Sequence, residues 1–372
     1  MLLLVSVSAE SNARQDEGSI PRDPAVEQRP QDPVAPLPYD VTTVVIPHPD
    51  GHQLAGDLVL PHASPRPPIA ILLTGSGPQD RDESIMGHRP FLVLADHLAR
   101  NGIASLRCDD RGVASSTGTF AGMTSIDFST DALAQFDWLT KRSDIDVASI
   151  GFVGHSEGGL VGSIAATVDP RVDWLVMMAG PGIDGGEILT SQTKRIMEQQ
   201  AHSSQNVEAI VKLHRVLMDR VREEAGDAAV EQAYRDLSLA QIEIAAATPE
   251  QKQALRDQLE RLTTSQMINP WLSMFIRIDP AEYLTRVRCP ILALNGTEDL
   301  QVISELNLPA IKRAVDLGGG SIQIVAYDGL NHMFQKSVTG TISEYEFIET
   351  TIEPQVLQDI SKWIRSVTLN EE

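Results

Sequence analysis

The stretch GFVGHSEGGLVG, residues 151–162, places Ser156 between glycines, directly after an apolar segment and directly before an apolar helical pattern. A serine hydroxyl becomes a nucleophile only beside a base, and a serine on a sharp strand-to-helix turn needs small neighbours because the chain is strained and crowded there. Gly154, Gly158 and Gly159 meet that need. The pattern therefore indicates a nucleophile on a tight turn, and it favours this reading over a polar residue in an ordinary glycine-rich loop.

A base and an acid follow two later apolar segments. Asp299 lies in LNGTEDLQV, just after the strand pattern of residues 291–294, and His332 lies in YDGLNHMF, just after the strand pattern of residues 322–326. In parallel sheets, functional groups collect beyond the carboxyl ends of the strands. We therefore expect His332 to act as the base for Ser156 and Asp299 to orient its imidazole.

Other acids and histidines remain alternatives. Asp184, which follows the strand pattern that ends at Ala179, is a rival acid, and Glu298 is a second one, although Asp299 is favoured. The acid is the least constrained member of such a triad. The remaining histidines lie in the opening hairpin, the first helix, the insertion and beside the serine, where surface or structural histidines are common: His48, His52, His62, His88, His97, His155, His202 and His214.

Two backbone N–H groups are expected to bind the oxyanion of a tetrahedral intermediate. One is that of Glu157, directly after the serine and at the start of a helix. The other is that of Ser76, in the loop GSGPQDRD that follows the apolar run AILLTG. Glycines on both sides of Ser76 allow the backbone to approach a reacting carbonyl closely. Nearby, DDRG at residues 109–112 is expected to form a structural ion pair beneath the site.

Apolar runs alternate with helical patterns along most of the chain, which predicts an α/β fold with a mostly parallel central sheet and helices on both faces. The alternation stops at residues 184–280, which are helical, charged and poor in strands. We expect residues 37–183 and 281–372 to form the core and residues 184–280 to form an inserted helical cap. Trp271 and Phe275 in this insertion could line the substrate pocket, although aromatic residues at helical spacing are equally typical of a core.

The first residues predict export. The apolar run in MLLLVSVSAES ends in Val7-Ser8-Ala9, which resembles a signal-peptidase site, so residues 1–9 are expected to be a signal segment, possibly truncated at its start. Residues 10–36 are polar and rich in proline, and a disordered leader is expected there. The protein would then be secreted or periplasmic, and cytoplasmic if the segment is not a signal.

Composition limits the partners. With 51 acidic and 30 basic residues, the formal net charge is −21, which disfavours nucleic acid and anionic membrane surfaces. Cys108 and Cys289 form no metal-binding pattern, and we expect two free, partly buried thiols. No metal site or cofactor is predicted, and the oligomeric state stays open.

From about residue 39 to the C-terminus, the chain resembles the α/β-hydrolase superfamily, and more narrowly the small bacterial serine esterases with a GSGPQDRDE oxyanion loop. The matching segments include IGFVGHSEGG, CPILALNGTEDLQV, GLNHMFQ and EYEFIETTIEPQVL. The resemblance implies the α/β-hydrolase fold, a helical cap, no cofactor, and Ser156, Asp299 and His332 as nucleophile, acid and base. One departure is Ala114 in GVASS, where similar proteins usually carry a glycine.

The resulting functional hypothesis is a serine carboxylesterase that cleaves short-chain acyl esters of small molecules through an acyl-enzyme. A peptidase acting on short peptides is an alternative, because the same fold carries serine aminopeptidases. An acyltransferase is another alternative, and a non-catalytic binding protein is a third. The last is disfavoured because the chain keeps all three triad residues.

Overall fold

The computed structural model describes residues 29–246 and 248–368. The predicted signal segment, residues 1–9, and most of the predicted leader lie outside this part of the chain. Within the described residues, eight strands form one sheet. They are β1 (Tyr39–Pro47), β2 (Gln53–Pro61), β3 (Ile69–Leu73), β4 (Ala104–Cys108), β5 (Ile150–His155), β6 (Leu175–Met178), β7 (Ile291–Gly296) and β8 (Ile322–Tyr327).

The sheet is mostly parallel and its strands lie in the order β1-β2-β4-β3-β5-β6-β7-β8. β2 pairs antiparallel with both β1 and β4, and all other neighbours are parallel. Every residue of β3 to β7 is buried, as expected of strands covered on both faces. This explains why these strands appear in the sequence as continuous apolar runs.

Helices cover both faces of the sheet, and each face has its own apolar core. In the part that contains the sheet, the helices are α1 (Pro90–Arg100), α2 (Ser125–Thr140), α3 (Glu157–Val168), α10 (Ala281–Leu284), α11 (Ser304–Leu317), α12 (Pro354–Thr368) and a 3₁₀ helix (Ile342–Phe347). α2, α3 and α11 share one core with the sheet, and α1 and α12 share the other. The predicted fold is therefore confirmed.

Residues Asp184–Ile278 form a second compact unit, and it is entirely helical in the residues described. Its helices are α4 (Gly185–Gln199), α5 (Ser204–Arg222), α6 (Asp227–Ala245), α7 (Pro249–Arg261), α8 (Thr264–Met267) and α9 (Pro270–Arg277). It has a separate apolar core that includes Ile210, Leu217 and Tyr234. Across the described residues of both units, no helix is long and apolar enough to cross a membrane.

Residues 29–36 belong to the predicted disordered leader, and here the prediction is wrong. Arg29 donates a hydrogen bond from Nη1 to the carbonyl oxygen of Ile348 at 2.8 Å. Asp32 is buried and accepts a hydrogen bond from Arg89 at 2.6 Å. These contacts join the segment to distant parts of the chain and hold it in place. Because the segment is ordered by polar contacts, its lack of apolar periodicity did not mean that it is disordered.

The turn between β5 and α3 is packed too closely for side chains at its glycines. A Cβ atom at Gly158 would lie 2.1 Å from the carbonyl oxygen of Leu73 in β3. At Gly162, one turn further along α3, a Cβ would meet only the end of the Leu175 side chain, at 2.8 Å. The backbone of β3 cannot move aside as a flexible side chain can. A methyl group should therefore be tolerated at position 162 but not at position 158.

We predict that Gly158→Ala lowers the free energy of unfolding by about 3 kcal/mol or more, because the new methyl group overlaps the backbone of β3. Gly162→Ala is the control, and it should be close to neutral because Leu175 can shift and alanine favours the helix. Urea denaturation measures both. Equal losses of stability in the two variants would contradict this account of the turn.

Candidate active site

Ser156 occupies a strained turn between β5 and α3. Its backbone φ is +51°, in the left-handed region that non-glycine residues rarely adopt. Its N–H donates to the carbonyl oxygen of Met178 in β6 at 2.8 Å. A Cβ at Gly154 would lie 2.1 Å from the carbonyl oxygen of Gly158, so the flanking residues must be small. This is the geometry of a nucleophile elbow, which exposes a serine hydroxyl beyond the end of a strand.

His332 and Asp299 form a buried pair. His332 Nδ1 lies 2.8 Å from Asp299 Oδ2. The other oxygen of Asp299 accepts the N–H groups of Gln301 at 2.7 Å and Val302 at 2.9 Å. A carboxylate so placed orients the imidazole with its Nδ1 proton toward the acid. Nε2 is then the nitrogen that can take a proton.

Neither rival acid is hydrogen-bonded to His332. Asp184 caps the N-terminus of α4, where it accepts the N–H of Glu187 at 3.0 Å, and it forms an ion pair with Arg222 inside the helical unit. The carboxylate of Glu298 forms no hydrogen bond with His332 in the part of the chain that the structure describes. Among the residues described, Asp299 is the acid hydrogen-bonded to His332.

The loop after β3 lies directly against the serine turn. A Cβ at Gly75 would lie 3.3 Å from the Cβ of Ser156. The N–H of Gly75 donates to Oε1 of Glu83 at 2.7 Å, so it is already engaged. The next N–H in the loop, that of Ser76, and the N–H of Glu157 at the start of α3 remain our prediction for the two oxyanion donors.

His155, directly before the nucleophile, is a structural histidine. Its Nδ1 lies 2.9 Å from Glu83 Oε1, and its Nε2 lies 3.0 Å from the backbone oxygen of His332. Its ring stacks at a tilt on that of His332, with 4.7 Å between ring centroids. The pair of Glu83 and His155 was not predicted. The one hint in the sequence is that a histidine ending a buried strand needs a polar partner.

A small acidic cavity of about 40 Å³ adjoins the same loop. Its lining includes Thr74, Gly75, Asp109, Asp110, Asp131, Gln135 and Glu157. Ion pairs neutralise two of the carboxylates: Arg81 binds Asp109 at 2.7 Å and Arg111 binds Asp131 at 2.6 Å. The prediction that DDRG carries structural ion pairs is therefore confirmed.

Asp110, between those two pairs, accepts hydrogen bonds from Thr74 Oγ1 at 2.7 Å and from the N–H of Gln79 at 2.9 Å. Burial raises the pKa of Asp110 to about 7, and the nearby Glu83 and Asp131 add to the rise. A proton on this carboxyl is therefore favoured in the folded protein below neutral pH.

Ala114, the departure from the usual glycine, keeps a glycine-like backbone with φ of +45°. The loop around it is held by Ser116, whose Oγ donates to the carbonyl oxygen of Asp109 at 2.7 Å and accepts the N–H of Ala55 at 2.8 Å. The alanine therefore adds strain to the loop, and the two hydrogen bonds of Ser116 hold the loop near Asp109.

Within the described residues, three side chains lie close enough together to resemble a metal site. They are His48, Asp50 and His52, and each has one ligand atom within 4.8 Å of the ligand atoms of the other two. They lie at the turn between β1 and β2. His52 Nε2 is already 2.9 Å from Asp131, and none of the three contacts the serine turn or His332 through the hydrogen bonds described. We assign this group no part in the site.

Trp271 and Phe275, the predicted pocket residues, stack on each other in α9 with 5.2 Å between ring centroids. Phe275 is buried, and a Cβ at Gly185 would lie 2.7 Å from its Cδ1 atom. Phe275 thus packs within the helical unit. A pocket role for the two aromatic residues stays a prediction.

Comparison with known proteins agrees with the geometry. Residues 50–308 match the family described as X-Pro dipeptidyl-peptidase (S15 family). Esterase EstD of Thermotoga maritima is 24% identical over 312 residues, which cover 84% of this chain and 65% of EstD, less than two thirds of that relative.

Two solved structures share the fold. The Pyrococcus furiosus esterase Pf2001 is 14% identical, with a TM-score of 0.52 over 88% of this chain and 90% of its own. Proline iminopeptidase of Mycobacterium smegmatis is 15% identical, with a TM-score of 0.52 over 89% of this chain and 100% of its own.

The sheet order, the strained serine turn and the buried acid–histidine pair define a class: the chain has the α/β-hydrolase fold. The family match covers well over half of the chain. The protein therefore belongs to the X-Pro dipeptidyl-peptidase (S15) family.

The raised pKa of Asp110 predicts a pH-dependent loss of stability. Between its ordinary pKa near 3.8 and about 7, the folded state holds a proton that the unfolded chain releases. Stability should therefore fall as pH rises through this window, by at most about 1.4 kcal/mol per pH unit. Asp110→Asn removes this contribution, so the difference in unfolding free energy, wild type minus variant, should decrease from pH 5 to pH 8.

Asp144→Asn is the control, because Arg142 lowers the pKa of the exposed Asp144 carboxyl below its ordinary value. Its contribution to stability is therefore constant above pH 5, and the difference between wild type and this variant should not change from pH 5 to pH 8. Urea denaturation at several pH values measures both variants. Parallel pH dependence of wild type and Asp110→Asn would show that Asp110 is ionised across the whole range.

Proposed function

We propose that the protein is a serine carboxylesterase that hydrolyses short-chain acyl esters through an acyl-enzyme on Ser156. Two observations carry the proposal: the strained turn at Ser156 and the buried pair of His332 and Asp299. The ring of His332 lies 4.7 Å from that of His155, the residue before Ser156, which supports a common site. The similarity to esterase EstD supports an ester substrate. A small-molecule ester also suits a protein with a formal net charge of −21, which disfavours polyanionic partners.

The proposed mechanism gives one role to each of the three side chains. His332 Nε2 takes the proton of Ser156 Oγ as the oxygen attacks the ester carbonyl, and Asp299 stabilises the imidazolium that forms. The imidazolium then gives this proton to the leaving alcohol, which leaves an acyl ester on Ser156. Water, activated by the same histidine, attacks the acyl-enzyme and releases the acid.

The oxyanion of each tetrahedral intermediate is proposed to lie between the N–H groups of Ser76 and Glu157. The contact between Gly75 and Ser156 supports this, because it brings the loop after β3 against the turn that begins α3. Backbone donors are held by the fold before the substrate arrives, so no reorganisation is needed as charge develops. The N-terminus of α3 adds its dipole at the same point.

Peptide hydrolysis is the second candidate, and the family match favours it, since the family is described as X-Pro dipeptidyl-peptidase. The same triad chemistry cleaves amides when the leaving amine receives the proton of the histidine. The two candidates differ in the group that the site accepts on either side of the carbonyl.

We further propose that the helical unit, through Trp271 and Phe275, limits the length of the acyl group.

The test is a turnover profile on p-nitrophenyl esters of increasing acyl length, measured beside aminoacyl-proline and amino-acid p-nitroanilides. We expect short esters to have the highest kcat/KM. A higher kcat/KM for the aminoacyl-proline anilide would establish the peptidase instead. If adding an alcohol acceptor to the aqueous reaction raises the turnover of the ester, the protein would instead be an acyltransferase.

Ser156→Ala should lower kcat by about a millionfold, because no other group on the turn can form the acyl-enzyme. Thermal unfolding should show that the variant stays folded, since the smaller side chain removes only the hydroxyl. Activity above a few per cent of wild type in purified protein would contradict the serine mechanism.

Asp299→Asn should lower kcat by about ten-thousandfold, because an amide at this position favours the wrong imidazole tautomer. Asp184→Asn is the matched control, since Asp184 only caps α4 and pairs with Arg222. It should retain most of kcat. The opposite ranking of the two variants, measured on the best ester substrate, would assign the acid to Asp184.

A further inference from the structure

Glu83 closes the loop that follows β3, and it does so with a buried carboxylate. Its backbone φ is +53°, again in the left-handed region, and only 4% of the residue is exposed. Its Oε1 accepts the N–H of Gly75 at 2.7 Å. The carboxylate therefore holds the first residue of the segment that we propose to bind the oxyanion.

The same oxygen faces His155, the last residue of β5. His155 Nδ1 lies 2.9 Å from Glu83 Oε1, and His155 Nε2 lies 3.0 Å from the carbonyl oxygen of His332. A carbonyl oxygen can only accept, so Nε2 carries a proton. Oε1 already accepts from Gly75, so an ionised carboxylate is matched best by a second proton on Nδ1.

His155 is therefore an imidazolium that donates from both nitrogens. Burial by itself lowers the pKa of His155, but the charge of Glu83, its hydrogen bond and the His332 carbonyl outweigh burial and raise the pKa above its ordinary value. Charge on both partners suits a fully enclosed pair, since either one alone would be an uncompensated buried charge.

We propose that Glu83 and His155 form a positioning pair that fixes the oxyanion loop, the serine turn and the His332 loop relative to one another, an inference that rests on the proposed function. The chain of contacts runs from Gly75 through Glu83 and His155 to His332. Each of the three segments carries one part of the catalytic machinery. The pair acts through those segments and does not react with substrate itself, because both nitrogens of His155 are occupied.

The pair also decides which N–H groups of the loop remain for the substrate. By taking the N–H of Gly75, Glu83 sets the orientation of the peptide that leads to Ser76. Rotation of that peptide would move the proposed Ser76 donor away from the carbonyl. Displacements on the order of 1 Å at such a donor cost about a hundredfold in rate.

Glu83→Gln is the decisive variant. The amide has one acceptor oxygen and no charge, so it cannot serve both the N–H of Gly75 and a protonated His155. If it turns its NH₂ toward a neutral His155, Gly75 loses its acceptor. We expect kcat per active site to fall about a hundredfold, with KM little changed, because the lost contacts act on the transition state.

Asp32→Asn is the matched control. It makes the same chemical change at another buried carboxylate and breaks a comparable ion pair, that of Asp32 with Arg89 at 2.6 Å, outside the three catalytic segments. It should keep kcat per active site close to wild type. Thermal unfolding of both variants reports the loss of stability, which we expect in each.

The concentration of active sites is measured by titrating Ser156 with a fluorophosphonate, so that misfolded protein does not enter kcat. His155→Gln and the double variant complete a mutant cycle. If the two residues act as one unit, the double variant should lose no more than the larger single loss.

Each outcome has a distinct meaning. Two results would overturn the positioning pair: a wild-type kcat per titrated serine in Glu83→Gln, or losses of kcat in the single variants that multiply in the double variant. In both cases the activity of the wild-type protein on esters would still support the esterase. A wild-type protein that is neither labelled nor active on any ester or anilide would instead overturn the proposed function, and this inference with it.

Discussion

The left-handed backbone at Ser156 requires that β3, β5, β6 and the start of α3 approach one another within contact distance. Its N–H reaches the carbonyl of Met178 in β6, and Gly158 sits against the carbonyl of Leu73 in β3. A strained residue of this kind costs about 1–3 kcal/mol and persists only where its surroundings hold it. Here the surroundings are fully buried parallel strands. The reactive position of the serine is thus a consequence of sheet packing.

The same packing decides which partner each carboxyl group near this turn has. Asp299 is buried, yet its two oxygens accept three hydrogen bonds, so neither oxygen is left without a partner behind His332. Beneath the loop after β3, arginines neutralise Asp109 and Asp131. Asp110 has no such partner among its hydrogen bonds, and burial raises its pKa. Asp109 and Asp110 are adjacent in sequence, yet an arginine pairs with the first, whereas a hydroxyl and a backbone N–H donate to the second.

The elements were predictable where burial is uniform or periodic. Continuous apolar runs identified β3 and β5, and the apolar pattern after Ser156 predicted α3, which begins at Glu157 as expected. Prediction failed at residues 29–36, where order comes from Arg29 and Asp32 binding residues far away in the chain. Hydrophobic periodicity carries no information about such polar contacts, because they depend on which surfaces meet after folding.

The sequence by itself determined the chemistry of the site, since a serine among glycines and an aspartate and a histidine beyond strand ends are local patterns. It also determined the α/β architecture, because burial on both faces dictates apolar runs. The sequence favoured Asp299 over Asp184 as the acid, but only the tertiary structure shows Asp299 hydrogen-bonded to His332, and only it joins Glu83 to His155. These pairings span 33 and 72 residues. Contacts at that separation are decided by strand order and sheet register, which no single segment encodes.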